Sequence, residues 1–553
     1  MVILQFLIFN SIIYFLGRGL TEVIKFFTKS NTECENLKIL GIKFSFFYPI
    51  IGLFFLGNFA TVINFFTGVD QIWVNVIFLL IILFNFKRTQ FIQYSHEGLL
   101  SHFIVPGILA ISSINIGIHT DAHLYQFNHQ AWIRSEKIAL GLTNISSRYG
   151  YASLYDSISS VFWFNDNAIY FHFLNLVFFA IFFNFLIINL FKGKNNLLFF
   201  SSYFVLIFGI LDNFGFSGGR NGFIYIEGIG KHDVAFAVIF YVINILLFTS
   251  ITKNEFKELD FKIAAVLVLF ASQLRLLGLF SLLPLIYWYF KIFNFKKSNL
   301  YNFIRLTRVP IILGSVWILK NILITGCLVF PVNELFCFEQ LSWYKPGTAT
   351  FEAWVIADFF YGLSTEENLV AWYNHWMSSP FNSAIAKNFI ISSSLLAVLR
   401  LLFLSNKKRF ANKDTLFLIF YISLNFYFWL NSGPGIRFAM GFLILIVGIL
   451  GLGDFDYRFL KSIFRISENK IIITLAMILC TLLIPRLDKY DPFISNPLYF
   501  PTVESPIIET IPNPSGWGVV PKFGNECNIN IDCIPYVVNV NLYINSLGYK
   551  VFK

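Results

Sequence analysis

The sequence predicts an all-α polytopic membrane protein with about twelve spanning helices, plus a re-entrant or short-helix hairpin. Only 13% of the 553 residues are charged, whereas 56% are hydrophobic and the mean hydropathy is +0.67. A soluble chain of this length carries roughly a quarter charged residues to cover its surface. In addition, long apolar runs alternate with short loops that contain most of the lysines and arginines, as expected of a helical bundle in lipid.

The predicted spanning helices are apolar runs long enough to cross about 30 Å of hydrocarbon. The first run lacks a basic n-region and a small-residue cleavage site, which favours a retained helix over a signal peptide. A further stretch, 262–290, is interrupted by Gln273, Arg275 and Gly278 and is the predicted hairpin. The spanning runs lie near residues 2–17, 42–66, 70–86, 100–118, 167–191, 197–213, 232–251, 308–330, 389–405, 414–431, 433–453 and 470–485.

The basic residues predict how the helices are oriented. Placing their loops in the cytoplasm gives a consistent alternation, provided that the 262–290 hairpin starts and ends on the cytoplasmic side. The net charge of +10 is therefore a topology signal, and we expect no nucleic-acid partner. The basic loops lie near residues 18–38, 87–88, 192–194, 253–257, 291–308, 407–413 and 458–470.

The remaining long loops are predicted to face outward: 119–166, 212–232 and 331–388. The proline-rich C-terminal segment faces the same side. We therefore divide the chain into a transmembrane domain, 1–485, and an outer-face C-terminal tail, 486–553.

The six cysteines contain no CxxC pair, which argues against a zinc or iron–sulfur site. An outward tail places Cys527 and Cys533 in an oxidising compartment, where a disulfide is expected. Cys327 and Cys337 bracket the mouth of the 308–330 helix on the same side and can form a second disulfide. Free thiols are the alternative in both cases.

The first outer loop offers a candidate general base. Asp121 follows the end of the 100–118 helix, and a carboxylate there can take a proton from a hydroxyl that becomes a nucleophile. Alternatively, Asp121 caps the next helix. That helix, 123–140, is amphipathic and suits the membrane interface, with Trp132 as an anchor.

Other polar residues of this loop are candidates for binding. Asp121 and His123 could both contact a divalent metal, although two ligands at this spacing are a weak pattern, so a metal cofactor is left open. Arg148 lies in the polar, turn-rich segment that follows.

The second outer loop, 212–232, is rich in glycine and ends in a group of charges. Lys231 and His232 could bind a phosphate at the membrane surface. Asp233 opens the 232–251 helix, so complementing the helix dipole is its alternative role.

Three cations lie within or at the edge of apolar runs, where charges are costly and usually face a cavity or a partner. Arg275 lies in the hairpin break, Lys320 in the middle of the 308–330 run, and Arg437 at the start of the 433–453 run. Arginines in such positions can hold a phosphate in a bidentate manner, although Arg437 can also reach the headgroups. Lys320 receives no role in this interpretation.

The arrangement resembles the GT-C superfamily, membrane glycosyltransferases that use polyprenyl-phosphate-linked sugars. The resemblance implies a GT-C-like fold and gives Asp121 the catalytic role of the acidic residue on the first large outer loop. Unlike in many such enzymes, three helices precede the one that leads into this loop, and no tandem acidic pair follows Asp121. Several stretches also look like an uncharacterised bacterial GT-C-like family: DAHLYQFNHQAWI, GLTNISSRYGYAS, GKHD, GCLVFPV, FCFEQLSW, GPGIRF and ECNINIDCIPY.

The expected function is sugar transfer from a polyprenyl-phosphate-linked donor to a saccharide, lipid or protein acceptor. It would take place on the periplasmic face of the bacterial cytoplasmic (inner) membrane, in making a cell-envelope glycan, with Asp121 as the general base. The alternative is a transporter, flippase or ligase of lipid-linked saccharides, because broken helices and intramembrane cations also occur in transporters.

The substrate-binding prediction has three parts. Candidates for holding the donor phosphate are Arg275, Arg437, Lys231 and His232. The set is completed by His123, Arg148 and Asp233. Ring faces for a sugar are offered by Trp132, Tyr149, Trp343, Trp354 and Trp372, for which interfacial anchoring is the alternative.

Overall fold

The computed structural model describes most of the chain, and the described part is mostly helical, which confirms the all-α prediction. Three two-stranded antiparallel hairpins are the only named sheets in this part. The described residues are 1–28, 37–84, 96–163, 167–192, 197–214, 229–230, 233–332, 334–361, 369–403, 412–431, 433–452, 470–503 and 507–553.

The α-helices fall into groups along the chain. The first group is α1 (Val2–Thr28), α2 (Tyr48–Asn64), α3 (Ile72–Leu83), α4 (His96–Leu99), α5 (Val105–Ala110), α6 (Phe127–Ser135), α7 (Leu154–Ser160) and α8 (Ile169–Phe191). The second is α9 (Leu198–Phe214), α10 (Asp233–Lys253), α11 (Glu258–Leu274), α12 (Leu282–Phe293), α13 (Lys297–Leu306) and α14 (Arg308–Thr325). The third is α15 (Thr348–Tyr361), α16 (Leu369–Ser378), α17 (Pro380–Phe403), α18 (Asn412–Asn431), α19 (Ile436–Leu450), α20 (Lys470–Leu483) and α21 (Leu487–Ser495).

Seven helical segments of the described chain are long and apolar enough to cross a membrane. Two of them, α8 and α10, are buried along 94% of their apolar window and form the centre of the bundle, since a helix that is apolar all round belongs inside. The seven are Val2–Phe27, Phe44–Asn64, Ile169–Phe191, Asp233–Lys253, Leu276–Phe293, Arg308–Thr325 and Asn382–Leu402. Shorter apolar helices are Ile72–Leu83, Glu97–Ser113, Leu198–Asp212 and Ile436–Leu450.

The interrupted 262–290 stretch forms two helices that meet at Arg275. α11 ends at Leu274, Arg275 is extended (φ −159°, ψ 142°), and a 3₁₀ segment, Leu276–Ser281, leads into α12. The backbone of Gly278 packs on α11 so closely that a Cβ would lie 2.2 Å from the carbonyl carbon of Ala271. The absence of a side chain there lets the chain turn back against its own helix.

Lysines from distant parts of the sequence meet at the end of the bundle where α10 ends. Lys192 donates a hydrogen bond to the carbonyl of Gly41 at 2.8 Å. Lys291 donates to the carbonyl of Ile251 and forms an ion pair with Asp414, both at 2.8 Å. Asp233 begins α10, so Asp233 and the two arginines near its carboxylate, Arg275 and Arg437, lie at the opposite end of the bundle.

The C-terminal tail packs on the first outer loop. Its strands are β3 (Thr510–Pro512), β4 (Val519–Pro521), β5 (Leu542–Ile544) and β6 (Lys550–Phe552), whereas β1 (Lys38–Ile39) and β2 (Ile42–Lys43) lie near the N-terminus. Leu140 exchanges backbone hydrogen bonds with Lys550 and Phe552, each at 2.9 Å. Trp132 is buried against Trp517 and Phe552. The interpretation of Trp132 as an interfacial anchor is therefore wrong, because the tail covers its ring.

Candidate functional site

Asp121 lies at the entrance to a π-helical turn. Ala122–Gln126 form this turn, which continues directly into α6. Such turns are rare in proteins overall, and those that occur are often at functional sites. The carboxylate of Asp121 makes no capping hydrogen bond to the turn, so the capping role is not observed. Instead, its Oδ2 atom lies 3.5 Å from Nδ1 of His119.

Two arginines and a second aspartate lie around Asp121. The Nη1 atom of Arg437 lies 3.4 Å from Oδ2 of Asp121, and its Nε atom lies 3.8 Å from Oδ2 of Asp233. The Nη1 atom of Arg275 lies 2.6 Å from Oδ1 of Asp233. We call Asp121, Asp233, Arg275 and Arg437 the charged cluster. Its four members come from the first outer loop, α10, the hairpin break and α19.

Phe438 packs against both guanidinium groups of the charged cluster. Its ring centroid lies 4.1 Å from Cζ of Arg275 and 5.0 Å from Cζ of Arg437. Cations are attracted to an aromatic face, and the attraction is stronger where water is excluded. The ring therefore helps to fix the position of both arginines.

The turn before α19 presents Arg437. Trp376 donates a hydrogen bond to the carbonyl of Pro434 at 2.8 Å, and Trp429 donates to the carbonyl of Gly435 at 2.9 Å. These bonds satisfy carbonyls that precede the helix and hold the GPGIRF segment in place. The third outer loop thus supports the charged cluster through Trp376.

The end of the second outer loop packs on the start of the first. The N–H of His119 donates to the carbonyl of Ile229, and the N–H of Ile229 donates to the carbonyl of Gly117, both at 2.8 Å. Gly230 has φ +103°, and a Cβ on it would lie 2.5 Å from Cβ of Ala122. This close approach brings the two outer loops together beside Asp121. Lys231 and His232 lie outside the described residues.

His123 contacts the tail rather than Asp121. Its Nδ1 atom lies 2.5 Å from Oδ1 of Asn528, and the N–H of Asn528 donates to its carbonyl at 3.3 Å. Asn528 lies inside the loop closed by the Cys527–Cys533 disulfide, in which the Cα atoms are 5.4 Å apart. The tail therefore covers the π-helical turn that follows Asp121.

A second disulfide joins Cys327 to Cys337, whose Cα atoms are 3.8 Å apart. It closes the segment that follows α14, and the N–H of Phe338 donates to the carbonyl of Gly326 at 2.9 Å. Among the described residues the free cysteine is Cys480.

Lys320, which had no role in the sequence interpretation, is buried in a polar network. Its Nζ atom donates to Oγ of Ser157 at 3.0 Å, and the carboxylate of Asp156 lies close enough to interact electrostatically. Oδ2 of Asp156 lies 3.3 Å from Nδ1 of His129 on α6. The cation therefore faces a carboxylate and a hydroxyl within the protein, as a charge at membrane depth requires.

The aromatic candidates for sugar stacking differ in accessibility. Trp132 and Tyr149 are buried, and for both of them the stacking interpretation is wrong because no face is open. Trp354 is exposed, whereas Trp343 and Trp372 are partly exposed.

Within the described ranges, no group of three or more His, Cys, Asp or Glu side chains is arranged to hold a metal ion. Asp121 and His123, the pair considered for a metal, point toward different partners.

Sequence reasoning missed His119 and Asn528 as neighbours of the predicted site. His119 carries a local signal, since it lies two residues before Asp121. Asn528 carries none, because it lies 405 residues from His123 along the chain.

The fold and the charged cluster define a helical membrane protein with an acidic and arginine-rich site at one end of its bundle. Residues 1–444 match the family described as a domain of unknown function, DUF8201, and the chain belongs to that family. No curated protein and no solved structure matches the chain significantly.

Proposed function

We propose that the protein is a GT-C-like glycosyltransferase that moves a sugar from a polyprenyl-phosphate-linked donor to an acceptor at the outer face of the cytoplasmic membrane. The observation that carries the proposal is the charged cluster, which joins the predicted base, Asp121, to two arginines at one end of an apolar bundle. A carboxylate serves proton transfer and arginines serve a phosphate leaving group, so the two halves of the reaction meet there.

In the proposed reaction, Asp121 takes the proton of an acceptor hydroxyl, and the hydroxyl oxygen attacks the anomeric carbon of the donor sugar. The bond from that carbon to the phosphate oxygen breaks, with inversion. Polyprenyl phosphate leaves with the bonding electron pair, and Arg275 and Arg437 stabilise its charge. Each arginine has five N–H donors, so a pairing with Asp233 or Asp121 leaves further donors for the phosphate.

A lipid-linked donor fits the surroundings of the arginines. A small apolar cleft borders Phe438, the ring that packs on Arg275 and Arg437. The cleft is too small to enclose an isoprenoid chain, so the chain would lie in the lipid beside these apolar side chains while its phosphate reaches the guanidinium groups. The cleft is lined by Phe236, Phe240, Leu277, Asn425, Trp429, Phe438 and Phe442.

The proposal includes about twelve spans, with the lysine-rich end in the cytoplasm and the charged cluster on the periplasmic side. The meeting of Lys192 with Gly41 and of Lys291 with Asp414 supports this orientation, because loops assigned to the cytoplasm share one end. In this proposed orientation, the donor phosphate would lie at the level of the outer headgroups.

The test is an Asp121→Asn variant, with Asp70→Asn as the matched control. Asp70 also pairs with an arginine, Arg134, at 2.7 Å, but lies outside the charged cluster. Asp121→Asn should keep the protein level and lower transfer about a hundredfold or more, leaving donor lipid unused. Surface glycan, lipid-linked sugar and protein level are measured together in cells. Normal transfer by Asp121→Asn would refute the mechanism.

A transporter, flippase or ligase of lipid-linked saccharides is the second candidate, favoured by the hairpin break at Arg275. Purified protein in lipid nanodiscs separates the candidates, because a nanodisc has no compartments for transport. Formation of glycosidic product from a supplied donor and acceptor supports transfer, and the size of the transferred group distinguishes a single sugar, moved by a glycosyltransferase, from an assembled saccharide, moved by a ligase. Donor translocation in sealed vesicles without product supports a transporter or flippase.

A further inference from the structure

A second polar group lies beside the charged cluster and has no role in the proposed reaction. It consists of Tyr125, Arg148, Tyr151 and Glu352, and we call it the Arg148 cluster. Tyr125 belongs to the π-helical turn after Asp121, Arg148 and Tyr151 to a 3₁₀ segment of the same loop, and Glu352 to α15. Two of the three long outer loops therefore build it.

The guanidinium group of Arg148 lies over an aromatic ring and keeps its hydrogen-bond donors available. Its Cζ atom lies 5.6 Å from the ring centroid of Tyr125. Within the described ranges no acceptor lies in hydrogen-bonding position for its N–H groups, whereas Arg275 and Arg437 face carboxylates. Arg148 thus presents a planar donor fork of the kind that binds carboxylates and phosphates.

Glu352 organises the cluster without closing it. Its carboxylate, which is 2% exposed, accepts hydrogen bonds from the hydroxyls of Ser147 and Tyr151. Burial lowers the pKa of Arg148, but the nearby Tyr536, Tyr151, Tyr125 and Glu352 outweigh this effect and raise it. Arg148 is therefore a cation at every pH at which the protein works.

Tyr125 connects the Arg148 cluster to Asp121. Its ring packs edge-on against Tyr151, with centroids 5.9 Å apart. Burial raises the pKa of its phenol above the ordinary value, and the charge of Asp121 raises it further. The phenol is therefore a neutral group between the predicted base and Arg148, which suits a ligand that spans both.

We propose that the Arg148 cluster is the acceptor subsite and binds a saccharide that carries an anionic group, either a carboxylate or a phosphate. Arg148 pairs with the anion, and the sugar ring lies against Tyr151 and Tyr536, the latter 44% exposed. An aromatic ring with a polar tip suits a sugar, which has apolar faces and hydroxyl edges. This inference rests on the proposed function, because it assigns the acceptor side of that reaction.

The experiment measures binding directly, by saturation-transfer NMR on the full chain in lipid nanodiscs. The probes are glucuronic acid, glucose 6-phosphate, glucose and inorganic phosphate. Arg148→Gln removes the cation, and Tyr151→Leu removes an aromatic face. Arg134→Gln is the matched control, since Arg134 also lies over an aromatic ring, 5.8 Å from that of Trp163, outside both clusters.

We expect both anionic sugars to bind at least about tenfold more tightly than glucose, as charged hydrogen bonds do over neutral contacts. Arg148→Gln should abolish this preference, Arg134→Gln should keep it, and Tyr151→Leu should weaken all sugars. Equal binding of glucose and glucuronic acid, or an unaffected Arg148→Gln variant, overturns the proposal. If inorganic phosphate binds as tightly as glucose 6-phosphate and Tyr151→Leu has no effect, the subsite binds an anion without recognising a sugar, and the saccharide part of the proposal is overturned.

Arg148→Lys retains the positive charge and should still bind the anionic sugars. Its binding shows that a loss in Arg148→Gln comes from the missing charge and not from a failure to fold. The readout is independent of transfer, because Asp121→Asn protein should bind the anionic sugars normally. If Asp121→Asn loses transfer but the natural protein does not bind the anionic sugars, only the subsite proposal is refuted. Intact transfer in Asp121→Asn refutes the mechanism itself.

Discussion

Replacing Lys320 with methionine should destabilise the protein by leaving a carboxylate without its cation. Lys320 is 1% exposed, and its Nζ atom donates to Ser157, which also accepts a hydrogen bond from Thr61 at 3.0 Å. Methionine has a similar length and fills most of the same volume, so the change removes charge more than packing. Asp156 would then stay buried, with its Oδ2 atom 3.3 Å from Nδ1 of His129.

The magnitude follows from the burial of both partners. Removing one member of a buried charge pair costs about 3–5 kcal/mol, whereas replacing both members is often close to neutral. Because His129 still contacts Asp156, we expect the lower end, about 3 kcal/mol, or roughly a 150-fold change in the unfolding equilibrium. The double variant Lys320→Met with Asp156→Asn should recover most of that loss.

The assay is unfolding of the purified protein in mixed micelles by increasing SDS, followed by tryptophan fluorescence. Lys522→Met is the control, because Lys522 is half-exposed in an ion pair with Glu509 and should change the free energy of unfolding by no more than about 0.5 kcal/mol. A loss below about 1 kcal/mol in Lys320→Met, or a double variant as unstable as the sum of the single ones, refutes the pairing.

The same network leads toward the candidate site. His129 stacks on Tyr149, with ring centroids 5.7 Å apart, and Tyr149 donates to Asn128 at 2.6 Å. Asn128 in turn donates to the carbonyl of Asn530, in the disulfide-closed loop of the tail. Lys320→Met should therefore also lower transfer, by displacing the helix that follows the π-helical turn.

Two further changes test the contacts around Asp121. Gly230→Ala should lower the free energy of unfolding by about 1–3 kcal/mol and lower transfer, because a side chain is strained at φ +103° and its Cβ would collide with Ala122. Gly117→Ala is the control, since a Cβ there meets nothing within 4 Å. Equal tolerance of the two changes would contradict the close approach of Gly230 to Ala122. Replacing Cys527 and Cys533 with serine should lower the free energy of unfolding by about 2 kcal/mol. A reductant should then destabilise the natural protein more than this variant in the same SDS titration, and an equal effect on both would show that the loop is held without the disulfide.

The class of the protein and the location of its helices are encoded locally. A membrane-crossing helix needs only a run of about twenty apolar residues, so hydropathy alone located segments such as 167–191 and 232–251. The turn at Arg275 was also a local matter, because Gly278 and the polar residues around it interrupt an apolar run. Charges costly enough to need partners could likewise be recognised one by one, as with Arg437 and Lys320.

Only the tertiary structure decided which partner each charge takes. Arg437 meets Asp121 across 316 residues of chain, and Lys320 meets Ser157 across 163. Such contacts depend on which helix faces pack together and by how much one helix shifts along another, and these are properties of the whole bundle.

The tail shows the same division. Its cysteines suggested a disulfide from their compartment alone, but no local pattern indicated that Asn528 would lie against His123. Trp132 was misjudged for the same reason, since an amphipathic helix is equally satisfied by a membrane surface or by a covering segment of protein. The sequence by itself determined that polar residues gather at one end of a membrane bundle. The packing of distant segments determined which of them form one site.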